Sequence, residues 1–166
     1  HRIAFENLGA HNQDRVRKMI RGWAHDFSMR TQQSNSQGKA PVNEAGVDPT
    51  AYTVFCEQMP ALIDDQLYFG RVMTIDGEVS GLTLAGKTAP DTAGLYVSLC
   101  RPRIRGASDC MIVDILDRLA SFGISLLNFG GSEGQDLFKY KSKWQPAITI
   151  ETHELEYVAP SWKRGV

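Results

Sequence analysis

The sequence predicts an α/β fold of the α+β kind: a mixed, mostly antiparallel sheet with one βαβ crossover and flanking helices. Three stretches carry that expectation. Leu67 to Ile75 and Glu78 to Ala85 are strand-like runs on either side of Asp76-Gly77, a dipeptide suited to two-residue hairpin turns because their central residues need positive φ. Leu95-Tyr-Val-Ser-Leu-Cys100 and Ile124-Ser-Leu-Leu-Asn-Phe129 are short apolar runs that read as buried strands with a helix between them. Such a unit calls for a right-handed crossover and parallel strands. The third stretch, opening at Asn12 or Gln13-Asp14 and running to about Phe27, places Val16, Ile20, Trp23 and Phe27 on one helical face.

The remaining elements follow in order. Arg2 to Leu8 alternates apolar and polar side chains and reads as a first strand stopped by Gly9. The polar face of the first helix carries Arg15, Arg17, Lys18 and Arg21, either a solvated surface or a contact for a phosphate-bearing ligand. Thr31 to Pro49 is polar and has no hydrophobic period, which predicts a loop over 31–48, either a lid over a site or a mobile insertion. Pro49 to Asp65 predicts a helix with Tyr52, Phe55, Cys56 and Met59 inward and a break at Pro60. Gly86 to Gly94 reads as a second turn. After the Leu95 strand, Arg101 to Ser108 is a basic turn, and Ile112, Ile115, Leu116, Leu119 and Phe122 mark a helix that Gly123 ends. Gly130-Gly-Ser-Glu-Gly134 leads into a last basic helix, and Ala147 to Val158 predicts a closing strand through Ile148, Ile150, Leu155 and Tyr157.

Composition narrows the class. At 166 residues and 42% hydrophobic content, the chain suffices for one domain, 1–166, with a real core. A net charge of −1 excludes a global attraction to nucleic acid or membranes, so any such contact needs a local patch. Three cysteines, Cys56, Cys100 and Cys110, are an odd number without metal spacing, and at least two fall in predicted core elements; a reducing compartment, the cytoplasm, fits best. No apolar run nears the about 20 residues of a membrane helix, so no transmembrane segment is expected. No His/Cys/carboxylate spacing suggests a metal, and neither a P-loop nor Gly-x-Ser-x-Gly occurs. The chain opens on His1 rather than Met, which fits a piece cut from a longer protein. Nothing in the composition sets an oligomeric state.

Both glycine turns of the crossover sit at the carboxyl ends of neighbouring parallel strands, where open α/β sheets bind ligands. At the first turn, a helix N-terminus with unpaired N–H groups, a close backbone approach at Gly106 and flanking arginines suits a phosphate. Where the sheet changes from antiparallel to parallel pairing, the Leu95 and Ile124 strands can splay into a wedge for a donor molecule.

This order and these turns resemble the GNAT (N-acetyltransferase) superfamily over nearly the whole chain. In that family the turn after the fourth strand reads Arg/Gln-x-x-Gly-x-Gly/Ala and grips the pyrophosphate of acetyl-CoA. Arg103-Ile-Arg105-Gly106-Ala107-Ser108 matches except at its last position. Asn128-Phe-Gly130-Gly131-Ser132-Glu133, followed by Leu137-Phe-Lys139-Tyr-Lys141-Ser-Lys143-Trp144-Gln-Pro146, is similar to the closing motif of the Fem-like and lysyl-phosphatidylglycerol-synthase-like branches. Val16-Arg-Lys-Met-Ile-Arg-Gly-Trp23 is similar to their basic helix.

The resemblance implies an acyltransferase that forms an amide on an amine acceptor, a small molecule or a peptide. It favours aminoacyl-tRNA as donor slightly over acetyl-CoA or another acyl-CoA; a non-catalytic binding module is a further alternative. Glu133 is then a base or a cation-binding group, or simply an acid at a helix start. Asn128 bonds substrate or caps the turn. Ser132 is an N-cap or a catalytic group, and His153 a base or a structurally bonded histidine. Gly130 and Gly131 shape the donor turn; Lys139, Lys141 and Lys143 hold phosphate or are solvated. A backbone N–H of the Leu95 strand is the expected oxyanion donor. Many acetyl-CoA-using members carry a Tyr in the last helix that protonates the leaving thiolate. Phe138 stands at the matching position, and Tyr140, two residues on, is expected to point to another face.

Overall fold

The hairpin forms as its turn dipeptide requires: Asp76 and Gly77 take φ values of 52° and 86°, and β2 (Tyr68–Ile75) and β3 (Glu78–Ala89) pair antiparallel outward from Ile75↔Glu78. The structure is a computed structural model that describes residues 1–36, 53–54, 58, 67–101, 105–130 and 135–150. With β1 (Ile3–Asn7), β4 (Thr92–Cys100) and β5 (Leu126–Asn128), the described residues build a five-stranded sheet in the order β1-β2-β3-β4-β5. Its first four strands are antiparallel, and β5 lies parallel to β4. The helices are α1 (Gln13–Ser36), α2 (Ala107–Ala120) and α3 (Gln135–Ser142).

Strand alternation sends apolar side chains to both faces, and a helix covers each. α1 packs Val16, Met19, Ile20 and Trp23 against Val72, Leu82, Leu84, Val97 and Leu99. On the other face, Ile115 and Leu119 of α2 meet Phe69, Ala85 and Ala93, and Ala107 and Met111 meet Met73 and Ile75. Each large side chain so buried stabilises the fold by about 1.5–3 kcal/mol. The corner between β1 and α1 is set by Asn12, only 1% exposed. Its Oδ1 accepts the Gly9 N–H at 3.0 Å and its Nδ2 donates to the Asn7 carbonyl at 2.9 Å.

A forked ion pair ties α2 to the sheet. Arg71 donates to both carboxylate oxygens of Asp114, at 2.6 and 2.8 Å, and to Asn7 Oδ1 at 2.7 Å. The Asp114 hydrogen bond raises the guanidinium pKa above its ordinary value, against the opposing effect of burial. Removing one partner of so enclosed a pair strands the other. Asp114→Ala is therefore expected to lower the unfolding free energy by about 2–3 kcal/mol, read from urea denaturation.

Several elements differ from the sequence reading. α1 continues through Ser36, so residues 31–36 are helical rather than loop. The polar run ends the hydrophobic period but contains no Gly or Pro before Gly38, so nothing in it stops a helix. Gly86 and Gly94 are not turn glycines. They face each other across β3 and β4, and the reversal is made by Pro90-Asp91. β5 is shorter than Ile124 to Phe129. Phe122 lies beyond α2, 49% exposed, with its ring 5.1 Å from that of Phe69. Residues 147–150 are not a strand, and Ile148 and Ile150 are 67% and 78% exposed, because alternation without a neighbouring strand buries nothing. The rest of that predicted strand lies outside the described residues, as does the helix over Pro49 to Asp65 apart from Thr53, Val54 and Gln58, which are helical. Cys100 is half-buried and Cys110 exposed, both free thiols, so Cys110 is not a core residue; burial is the main cause that pushes the Cys100 thiol up.

Gly123 does end α2 as its sequence position suggests. At φ 73° its N–H donates to the Ala120 carbonyl and the Ile124 N–H to that of Leu119, the pair of bonds that closes a helix on a left-handed residue.

Candidate functional site

β4 and β5 pair over only three rungs, Thr92↔Leu126, Ala93↔Leu127 and Gly94↔Asn128. Past Gly94 they part. β4 continues to Cys100, while on the β5 side Asn128 Oδ1 accepts the Gly130 N–H at 2.8 Å and Gly130, at φ 71°, turns the chain away. At the point of parting β4 carries a bulge: Leu84 faces Val97 and Ala85 faces Leu95, leaving Tyr96 as the extra residue. Alternate backbone N–H groups of β4 beyond Gly94 are thereby directed into a gap with no strand partner among the described residues.

One wall of the gap is the start of α2. The chain leaves β4 at Arg101, whose N–H returns to the Ser80 carbonyl at 2.9 Å. Gly106 then caps α2 in the left-handed region (φ 84°, ψ −4°), and its carbonyl accepts the N–H groups of Asp109 and Cys110. The first N–H groups of any helix lack intrahelical acceptors, and here they belong to Ala107 and Ser108 at the positive end of the helix dipole. The Ala107 methyl is in the core, so only its backbone can meet a ligand. Arg105 is exposed beside them.

α3 closes the other side and joins the two glycine turns. Tyr140 is hydrogen-bonded to the Ser108 side chain. Lys143 Nζ lies 2.5 Å from Asp109 Oδ1 and 4.2 Å from the centre of the Tyr140 ring, and Lys141 Nζ donates to the Gly130 carbonyl at 3.2 Å. Gly106 and Gly130 therefore stand at the same end of the molecule. Burial raises the Tyr140 phenol above its ordinary 10.0, with a smaller push from Asp109; the hydrogen bond from Ser108 and the charge of Lys143 oppose it. The Trp144 indole Nε1 is buried without a partner of full hydrogen-bond geometry and exerts a further weak opposing pull on the phenol. Phe138 is 56% exposed. Contrary to the sequence reading, Tyr140, not the position of Phe138, faces the α2 terminus. The 140/143/144 spacing, one helical face, is the signal that could have found it.

The other predicted residues divide clearly. Arg103, Gly131, Ser132, Glu133 and His153 lie outside the described residues. Lys141 and Lys143 reach the site but are engaged in holding α3, and Lys139 is exposed. Several described basic residues are paired elsewhere. Arg101 turns to Asp26 of α1 at 3.1 Å, Arg15 to Glu6 and the Gly77 carbonyl, and Arg17 to Asp14. No described helix is long and apolar enough to cross a membrane.

The Lys143–Asp109 pair has a testable role. Both side chains are more than a third exposed, so the pair adds under about 1 kcal/mol to stability. Without Lys143, however, the Asp109 charge stands uncompensated in the first turn of α2. If this helix end holds the phosphates of CoA, as the sequence resemblance implies, Lys143→Ala weakens CoA binding about five-fold by calorimetry, with most of the loss recovered in Lys143→Ala/Asp109→Asn.

No protein-family model matches the chain, and no curated protein matches it either. Solved structures do. A conserved protein of unknown function from Bacteroides thetaiotaomicron VPI-5482 superposes with a TM-score of 0.66 at 16% identity over 88% of this chain, which spans only 45% of that protein. A ribosomal-protein-alanine N-acetyltransferase from Brucella melitensis biovar Abortus 2308 gives 0.60 at 10% identity, covering 95% of this chain and 100% of the other. AAC(6')-Iy, solved with the bisubstrate analogue CoA-S-monomethyl-acetylneamine, gives 0.58 at 11% identity over 96% and 99%. The architecture is the GNAT fold.

Proposed function

We propose that this chain is an N-acyltransferase that moves the acyl group of acetyl-CoA or another acyl-CoA onto an amine. The observation that carries the reading is that the strands part after Gly94↔Asn128 at the same end as the α2 N-terminus, with Tyr140 bridging to Ser108. In this reading the N–H groups of Ala107 and Ser108, with Arg105, hold the donor's phosphates, and the thioester enters the gap, where a β4 N–H polarises its carbonyl. The amine nitrogen attacks that carbon, the C–S bond breaks, and Tyr140, kept protonated by burial, gives its proton to the leaving thiolate. Water or a side chain such as Glu133 or His153 takes the proton shed by the amine.

The acyl-CoA donor is preferred to aminoacyl-tRNA on two grounds. Lys141 and Lys143, candidates for tRNA phosphates, are engaged with Gly130 and Asp109, and Tyr140 is the acid that a thiolate, rather than a ribose hydroxyl, calls for. The bisubstrate complex of AAC(6')-Iy joins CoA to an acceptor on this fold, which supports the same donor class. Calorimetry with CoA, and mass spectrometry of amines incubated with acetyl-CoA or with charged tRNA, test the proposal. CoA binding with acetylated product is expected; transfer from charged tRNA alone, or no CoA binding, overturns it.

A further inference from the structure

We infer that the amine acceptor is held on the α1 face of the sheet by a shelf of Tyr96 and Tyr68 over two bare glycines, and that the acceptor is a primary amine carried on an aromatic ring frame. The inference rests on the acyltransferase reading above and names its second substrate class.

The shelf follows from register. Tyr68, Gly86, Gly94 and Asn128 are direct partners across β2, β3, β4 and β5. Paired residues project to the same face, and Tyr68 packs with the α1 cluster, so the whole row looks toward α1. The positions on either side of this row, Phe69 and Ala85 on one and Ala93 and Leu127 on the other, face α2. The glycine row is also the last paired rung before β4 and β5 part.

Two positions in this row have no side chain, and the bulge residue fills the space. A Cβ on Gly86 would stand 2.5 Å from Tyr96 Cε2 and 3.0 Å from Tyr68 Cδ1, and a Cβ on Gly94 would be 3.6 Å from Tyr96 Cε1. The Tyr96 ring therefore lies across both glycines. It remains 43% exposed, with its centroid 6.4 Å from that of Tyr68 and the planes tilted by 50°. Two tilted aromatic faces favour an offset ring and an ammonium group, and rigid tyrosines offer that contact at small entropic cost.

Access decides which substrate uses the shelf. The donor's phosphates belong at the N-terminus of α2, on the opposite face. An acceptor arriving from the α1 side reaches the thioester without crossing the donor. Asn128, whose Oδ1 is engaged by Gly130, keeps its amide nitrogen at the end of the row as a neighbour for the incoming molecule.

The test uses 2-phenylethylamine as ring amine and putrescine as ringless amine. Saturation-transfer NMR on the protein without CoA reads the shelf independently of the donor: binding of 2-phenylethylamine is expected, about tenfold tighter than putrescine, lost in Tyr96→Ala and kept in Tyr96→Phe. Gly86→Ala, which displaces the Tyr96 ring, is expected to weaken it as well. With acetyl-CoA present, Tyr96→Ala is expected to raise KM for the ring amine about tenfold, the loss appearing in KM rather than kcat, with CoA affinity as in the parent. Equal binding of the two amines, or ring-amine binding untouched by Tyr96→Ala, overturns the shelf. Failure to bind CoA, with the NMR result intact, overturns the acyltransferase reading instead.

Discussion

Tyr140→Phe is expected, on the proposed acyltransferase reading, to lower kcat for acetyl transfer about 100-fold while CoA binds as before, since a positioned general acid contributes at least that factor. The phenol sits between Ser108 at the α2 terminus and Lys143 of its own helix, so phenylalanine keeps the packing and removes only the proton. The pH profile separates this role from a structural one. Burial holds the phenol above its ordinary 10.0, so on the proposed acyltransferase reading the parent keeps its acid across the neutral range and loses activity only at higher pH. The variant should lack that alkaline limb. Stability follows the same sign: the folded value exceeds the unfolded one, so the contribution is whole below pH 10.0 and fades as the pH rises past it. Urea unfolding at neutral and strongly alkaline pH should show a shallower decline in the variant. An unchanged kcat would remove Tyr140 from the chemistry.

Gly106→Val carries the second large effect. Gly106 is at φ 84° with open space around its missing Cβ, so a substitution there is resisted by backbone conformation and not by crowding. A β-branched residue in that region costs about 1–2 kcal/mol or moves out of it. Moving out re-aims the Gly106 carbonyl, which accepts the N–H groups of Asp109 and Cys110, and with it the first turn of α2. CoA affinity measured by calorimetry should fall about tenfold or more. Gly123→Val is the control. Its φ is 73°, also with open space, but it stands at the far end of α2, so a similar loss of thermal stability should leave CoA binding intact. Equal loss of CoA binding in both variants would show that stability, not the helix end, governs the result.

Much of this architecture is legible in the chain itself because the deciding forces are local. Asp76-Gly77 dictates a hairpin through its own φ preferences, the three- and four-residue steps from Ile112 to Leu119 dictate a helix against a sheet, and Gly106 and Gly123 mark its two ends. Where local and tertiary preferences part, the chain misleads. Gly86 and Gly94 look like turn residues in isolation, yet they are paired strand residues; a Cβ at Gly86 would collide with the Tyr96 and Tyr68 rings, and Gly94 lies beside the Tyr96 ring. Ile148 and Ile150 alternate like a strand but are exposed, since a strand exists only with a neighbour to bond.

The site divides the same way. Sequence alone determined the Asp76-Gly77 hairpin, the crossover and the glycine that opens α2, since each depends on residues close together in the chain. Only the tertiary structure decided that Tyr140 meets Ser108, that Lys143 neutralises Asp109, and that a bulge at Tyr96 coincides with the parting of β4 from β5. Those are contacts between elements distant in sequence, and side-chain reach, register and burial exist only once the elements have packed.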